Sequence, residues 1–301
     1  MKIAVYAICK NEEHNVNEFL KNVRDADEVV ICDTGSTDKT VPRLEFLNNG
    51  TNLQIHHILV QPWSFATARN TSLALVSDVD VCIRLDLDER LPPNWREKLE
   101  DQGPFEGKVW YDYQFSPGFA YEYCVHVHPR HNVWWRGIDH ESLEFEHQCP
   151  YRKIDFKITH HPLVGRSTAN ILPRLERAVR LEPSARAWWY LGREYYYHGQ
   201  WAKCITAFFN YLNWGSWDVE IMAARIMMAK SAKALGLQDE AVSHAIKAVD
   251  AYRTRESYIC WSEVSDDPTF AEHMARYAWT FTNKTETIFQ RPELWTTKHS
   301  T

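Results

Sequence analysis

Over its first 85 residues the chain alternates short runs rich in Val and Ile with segments whose apolar residues recur at helical spacing, and this restricts it to a parallel α/β architecture. Residues 2–8 and 28–32 are apolar runs bounded by polar, turn-forming residues, the pattern of buried strands. Between them Val16, Phe19, Leu20 and Val23 share one face of a helix. The unit repeats with a helix near 40–47, a strand near 53–60, a helix near 65–76 and a strand at 81–85. Such a chain forms a mostly parallel sheet with helices on both faces, and ligands of such sheets bind beyond the carboxyl ends of the strands.

The pattern changes twice afterwards. From about 107 to 160 strand-like, aromatic-rich segments (108–115, 121–128 and 152–160) are separated by Pro, Gly and His, and they are expected to extend the sheet and close over its carboxyl ends. After Pro162 the sequence becomes helical. The run from Trp188 to Tyr195 matches the W-x2-L-G-x2-Y opening of a tetratricopeptide repeat, with Cys204 and Phe208 at second-helix packing positions and Ala229, Ala232, Ala241 and Ala245 marking a weaker second unit. Two domains are therefore expected, an α/β domain over 1–162 and an all-α, tetratricopeptide-like domain over 163–301.

Composition excludes several function classes. A formal net charge of −6 supplies no global basic field of the kind that draws a protein to nucleic acid or anionic lipid. The seven scattered cysteines form no C-x-x-C pair, which argues for reduced thiols and a cytoplasmic location over a disulfide framework or a structural zinc site. No run approaches the ~18 apolar residues of a membrane span, so no stable membrane insertion is expected.

Chemistry concentrates at two predicted strand ends. In Arg84-Leu85-Asp86-Leu87-Asp88-Glu89, carboxylates spaced i, i+2 where the chain turns can converge on a hard divalent cation; alone the pattern is weak, because acidic strand ends are common solvated turns. In Asp33-Thr34-Gly35-Ser36-Thr37-Asp38, capping of the next helix accounts for Thr37 or Asp38, but not for an acidic strand end followed by a glycine turn. Asp33 is placed to accept hydrogen bonds from a base or ribose.

Four motifs in order, Ala7-Ile8-Cys9-Lys10-Asn11-Glu12, Asp33 to Asp38, Ala68-Arg69-Asn70 and Leu85-Asp86-Leu87-Asp88-Glu89, resemble the motif series of family 2 glycosyltransferases with the GT-A fold, a Rossmann-like, mostly parallel sheet. The resemblance covers roughly the first 160 residues and is closest to members with a helical tail. It implies an inverting transfer from a nucleoside-diphosphate sugar, usually a UDP-sugar, to an acceptor hydroxyl, with Mn²⁺ or Mg²⁺ bridging the Asp-x-Asp motif and the diphosphate. Carried over, it implies that Ile8 and Glu12 line the nucleoside pocket, Asp33 holds the base, Arg69 sits beside base or diphosphate, Asp86 reaches ribose or metal, and Asp88 coordinates the metal.

The same resemblance places the rest of the site in Gly137-Ile138-Asp139-His140-Glu141 and in His160-His161. An inverting transfer needs one base to take the acceptor proton. Glu141 is the first candidate and Asp139 the second, with His140 orienting Glu141 or touching phosphate, His160 as a third metal ligand in competition with His161, and Arg130 near the acceptor side. The acceptor stays open among a glycan such as lipopolysaccharide, a peptide, and a hydroxylated base in phage DNA. A catalytically silent, tetratricopeptide-type binding module is the alternative to an enzyme.

Overall fold

The computed structural model describes residues 1–48, 52–116, 119–163 and 171–282. The chain divides into two compact units, Met1–Ala169 and Asn170–Thr301.

The first unit begins with β1 (Ile3–Cys9), α1 (Val16–Val23), β2 (Glu28–Asp33), α2 (Thr40–Leu47), β3 (Leu53–His57), α3 (Phe65–Leu75) and β4 (Val81–Arg84). β1, β2, β3 and β4 are parallel, in the order β3-β2-β1-β4. All seven residues of β1 are buried, because both faces of the sheet are covered. Ile3, Val5 and Ala7 enter one core with Phe19, Leu44 and Ile83, while Ala4, Tyr6 and Ile8 enter the other with Ala68, Leu73 and Trp135. The period-2 alternation of a strand thus builds two cores from one segment. β3 ends at His57, three residues before the apolar run does.

Then follow β5 (Glu89–Arg90), α4 (Trp95–Gln102), β6 (Lys108–Ser116), β7 (Phe119–Tyr123), β8 (Val127–Pro129), β9 (Val133–Arg136), β10 (Ser142–Phe145) and β11 (Tyr151–His160). The sequence pattern had not marked α4. Only β8 extends the main sheet, antiparallel to β4; β5-β11-β6-β7 form a second sheet and β9-β10 a hairpin. The expected strand 121–128 is divided at Cys124–His126, and its two halves join different sheets. This division re-aims the chain and buries His126.

The second unit is all helical among its described residues: α5 (Leu172–Leu181), α6 (Ala185–Tyr197), α7 (Trp201–Leu212), α8 (Asp218–Ala234), α9 (Gln238–Ala251), α10 (Arg255–Val264) and α11 (Pro268–Ala278). The α/β class followed by an all-α class is therefore what the chain contains. Trp189, Cys204, Phe208, Ala229, Ala232, Ala241 and Ala245 are all buried in one core. At Gly192 an added Cβ would stand 2.9 Å from the Phe208 ring, so α6 and α7 approach closely only because that position carries no side chain. No helix among the described residues is long and apolar enough to cross a membrane.

Candidate active site

The carboxyl ends of β2, β1 and β4 present Asp33, the Cys9–Glu12 turn and Asp86–Asp88 in a row. Neighbouring strands lie about 4.8 Å apart, so Asp33 and the Asp-x-Asp turn, two strand spacings apart, stand on the order of 10 Å from one another.

Asp33 is held by its own turn. Its carboxylate accepts the Gly35 N–H at 3.1 Å and the Ser36 N–H at 3.1 and 3.2 Å, and Gly35 adopts φ +100°, which a side chain would strain. Burial opposes the charge, yet the Ser36 and Gly35 bonds and the nearby His57 keep this carboxyl below the usual aspartate value. The β1–α1 turn is tied to the same loop: Asn11 accepts the Thr37 N–H at 2.8 Å, and the Glu12 N–H is donated to Thr40 Oγ1 at 2.7 Å. Glu12 is buried and accepts the Asn15 amide at 3.0 Å, while Ile8 is buried in the core under that edge.

Arg69 lies one turn inside α3, whose start is fixed by Ser64 accepting the Thr67 N–H. The Phe65 and Ala66 N–H groups bond the Ile138 and Gly137 carbonyls, and Asn70 bonds both the N–H and the carbonyl of Trp135 at 2.8 Å. The Ala68-Arg69-Asn70 motif therefore docks the β9–β10 hairpin turn against α3. That turn needs left-handed backbone at Gly137 (φ +107°) and His140 (φ 53°), and it delivers Glu141 to Arg69.

A cluster of buried charges results. Arg69 Nε donates to Glu141 at 2.5 Å, and its two terminal nitrogens donate to both oxygens of Asp86 at 2.9 and 3.0 Å. Arg84 reaches Asp86 at 3.2 Å and Glu89 at 2.9 Å. Both guanidiniums lie over Trp135, at 5.5 and 5.8 Å from its ring centre. Trp135 is fixed in turn: its indole N–H is donated to the Tyr6 hydroxyl at 2.7 Å, which meets His128 Nε2 at 2.9 Å. Burial alone would raise the carboxyls of Asp86 and Glu141, but the Arg69 and Arg84 charges outweigh it, and both are held below their usual values.

Behind this cluster stands a layer that motif reading did not find. His126, fully buried, lies 2.9 and 3.0 Å from the two Glu89 oxygens and contacts the Tyr111 hydroxyl through its other nitrogen; Tyr113 donates to Glu89 at 2.8 Å. Burial, with the neighbouring Arg84, lowers the affinity of His126 for a second proton against the pull of Glu89, and Arg84 Nη1 lies 2.9 Å from the same Nε2 that faces Glu89. The one sequence signal was Glu89, three residues after Asp86, whose backbone N–H it accepts at 2.8 Å.

Asp88 has a different partner. Its Oδ2 lies 3.3 Å from His160 Nε2, and the antiparallel pairing of β11 with β5, His160 opposite Glu89, places the imidazole there. The Asp88 carboxylate, and less strongly Glu89, draw the His160 proton affinity up against the effect of burial. His161 instead places Nε2 2.9 Å from Thr159 Oγ1. Among the described residues no group of three or more His, Cys, Asp and Glu side chains is gathered for a metal. Asp88 and His160 supply one carboxylate and one imidazole, a pair suited to Mn²⁺, while Asp86 is spent on the two arginines.

Asp139 accepts the His140 N–H at 3.1 Å, a turn-forming bond. Arg130 does not join the site. Because β8 runs antiparallel to β4, Pro129 pairs with Val81 at the start of β4, and the chain arrives at the opposite end of the sheet. There the Arg130 guanidinium donates to the Val76 and Ser77 carbonyls at the end of α3, at 2.9 to 3.2 Å, and the expected acceptor-side role is corrected to a helix C-cap.

The sequence model of Glycosyl transferase family 2 matches residues 4–117. The chain is 29% identical over 100 residues to an uncharacterized glycosyltransferase of Rickettsia bellii, covering 33% of this chain and 32% of that protein. It is 28% identical over 103 residues to the lipopolysaccharide core biosynthesis glycosyltransferase LpsC of Rhizobium meliloti, covering 34% and 37%. It thus spans about a third of the length of these curated relatives. Among solved structures, TarS 1–349 of S. aureus in complex with UDP-GlcNAc aligns over 85% of this chain and 90% of that one, with TM-score 0.44 and 14% identity. Glucosyl-3-phosphoglycerate synthase from Mycobacterium tuberculosis in complex with Mg²⁺ and UDP aligns over 37% and 43%, with TM-score 0.30 and 23% identity. The match to the family 2 model thus runs from β1 to the end of β6.

Proposed function

We propose that the protein is an inverting glycosyltransferase that moves a sugar from UDP to an acceptor hydroxyl and depends on a divalent cation. The observation that supports this reading is the order of acidic residues along one sheet edge: Asp33 ends β2 and Asp88 follows β4, two strands away, on the order of 10 Å by strand spacing. Asp33 accepts N–H groups of the base. Asp88 and His160 would hold Mn²⁺ or Mg²⁺, which would supply Lewis-acid stabilisation of the departing diphosphate. Arg69 and Arg84 keep Asp86 ionised and fixed at the same edge.

A single displacement needs one base apart from the cation-binding pair. Glu141 meets that need: it is ionised, and it is held on the Arg69 side of Asp86. Asp139, bonded within its own turn, is less suited. Phe115 is exposed, with its ring centre 5.3 Å from that of His160, and offers a flat apolar face beside the cation; this supports a glycan acceptor over a peptide.

Incubation with UDP-sugars, Mn²⁺ and candidate glycans tests the reading: transfer with inversion at the anomeric carbon by NMR, abolished by chelator, is expected. Retention of configuration, or equal turnover with chelator present, would contradict it. His160→Ala should raise the Mn²⁺ concentration for half-maximal turnover by roughly 10- to 100-fold, the cost typical of disturbing a metal's surroundings, while His161→Ala leaves it unchanged. The reverse result would make His161 the ligand.

A further inference from the structure

Glu89, the third carboxylate of Asp86-Leu87-Asp88-Glu89, is only 3% exposed. Its Oε2 accepts the Asp86 N–H at 2.8 Å and Arg84 Nη1 at 2.9 Å, its Oε1 accepts the Tyr113 hydroxyl at 2.8 Å, and His126 Nε2 lies 2.9 and 3.0 Å from the two oxygens. A carboxylate has about four lone-pair sites. These contacts occupy Glu89 fully and leave it nothing for a cation or a substrate.

The same residue closes the turn from both directions. The Glu89 N–H is donated to the Asp86 carbonyl at 2.9 Å, and the Glu89 carboxylate takes the Asp86 N–H in return. The backbone between is tied as well: the Leu87 carbonyl accepts Arg90 Nη1 at 2.7 Å, and the Asp88 carbonyl accepts the His161 N–H at 2.7 Å. Asp88 is carried inside this closed turn, with its Oδ2 3.3 Å from His160 Nε2, and His160 pairs with Glu89 across β11 and β5. The place of the Asp88 carboxylate is thus set by the turn, and the turn is set by Glu89.

We infer that Glu89 is a positioning residue for the cation pair: without touching the cation, it holds the Asp86–Glu89 turn in the form that sets Asp88 against His160. This rests on the cation-dependent nucleotide reading above. The role needs an acceptor oxygen at one place rather than a charge. Glutamine keeps that reach and an oxygen for the Asp86 N–H, while its amide nitrogen can meet the Tyr113 oxygen, since a hydroxyl accepts as well as donates. Aspartate keeps the charge but is one methylene shorter, so it cannot hold the Asp86 N–H and the Tyr113 hydroxyl together.

Calorimetric titration of UDP into the full chain, with Mn²⁺ and with chelator, tests it on wild type, Glu89→Asp and Glu89→Gln. Glu89→Asp should lower the Mn²⁺-supported affinity by roughly 10- to 100-fold, the cost typical of disturbing groups that orient a metal's ligands, with the affinity in chelator unchanged. Glu89→Gln should keep the wild-type gain from Mn²⁺. Loss of that gain in Glu89→Gln would show that the carboxylate charge itself acts on the cation and overturn the inference. Full gain in Glu89→Asp, or an equal fall with and without Mn²⁺, the mark of general loosening, would also overturn it. Should Glu89→Asp fail to fold, Glu89→Gln still decides: a retained gain supports the inference and a lost one overturns it. A wild type that gains nothing from Mn²⁺ would instead defeat the underlying cation-dependent reading.

Discussion

Glu141→Gln is expected to lower sugar transfer by roughly 10²- to 10⁴-fold, the contribution of a positioned general base, while leaving UDP affinity unchanged. The amide keeps the shape of the carboxylate and its oxygen still accepts the Arg69 Nε–H, so the docked turn from Gly137 to Glu141 persists. What disappears is the charge that takes the acceptor proton. Because Arg69 and Arg84 hold the Glu141 carboxyl below its usual value of 4.5, the base form exists throughout the neutral range. The protonation of Glu141 should accordingly limit activity only below pH 4.5, apart from any loss of the cation as His160 protonates. Single-turnover transfer and calorimetry on the same preparation separate chemistry from binding. Near wild-type transfer by Glu141→Gln, with Asp139→Asn inactive, would move the base to Asp139. Activity in both would make the segment structural.

Arg84→Met should destabilise the first unit by about 3–5 kcal/mol, the cost of removing one partner from a buried ion pair. The side chain volume is roughly kept, but Glu89 and Asp86 lose the guanidinium that lies 2.9 and 3.2 Å away. The effect should depend on pH in a defined direction. Burial opposes the charge on Glu89 and is outweighed by the His126 ring and the Arg84 guanidinium, so its folded-state value lies well below the ordinary 4.5. A depressed carboxyl contributes stability that is full above the unfolded value and is lost as pH falls through the folded one. The gap between wild type and variant in urea unfolding should thus be largest near neutrality and close as the carboxylates protonate below pH 4.5. A gap under about 1 kcal/mol at pH 7, far less than a broken buried pair costs, or one that does not narrow in acid, would show that Arg84 is not the partner of these carboxylates.

The alternation of apolar runs and helical faces made the parallel strands legible, since a strand buried on both faces has little choice of residue. The motif residues Asp33, Arg69, Asp86 and Asp88 were legible because they stand at strand ends or in the first turns of a helix, where local spacing decides position. What sequence did not supply was direction after residue 116. One apolar run, 121–128, proved to be two strands in different sheets, and the reversal through β8 carried Arg130 to the far end of the sheet. His126 had no local signature among fourteen histidines, because its role comes from Glu89 and Tyr111, 37 and 15 residues away in the chain. Arg84 carried no role of its own in the Arg84–Glu89 run; only the fold shows that it shares Asp86 with Arg69.

Titration of UDP into the wild type and Asp33→Ala, with Mn²⁺ and then with chelator, tests the central claim most directly, because it reads both ends of the assigned nucleotide site at once. The account predicts Mn²⁺-dependent binding by the wild type, and a loss of about 1–3 kcal/mol in Asp33→Ala, the cost of leaving a polar partner unsatisfied, with the fold intact by circular dichroism. Absence of UDP binding in the presence of Mn²⁺, or equal affinity in the wild type and Asp33→Ala, would contradict it.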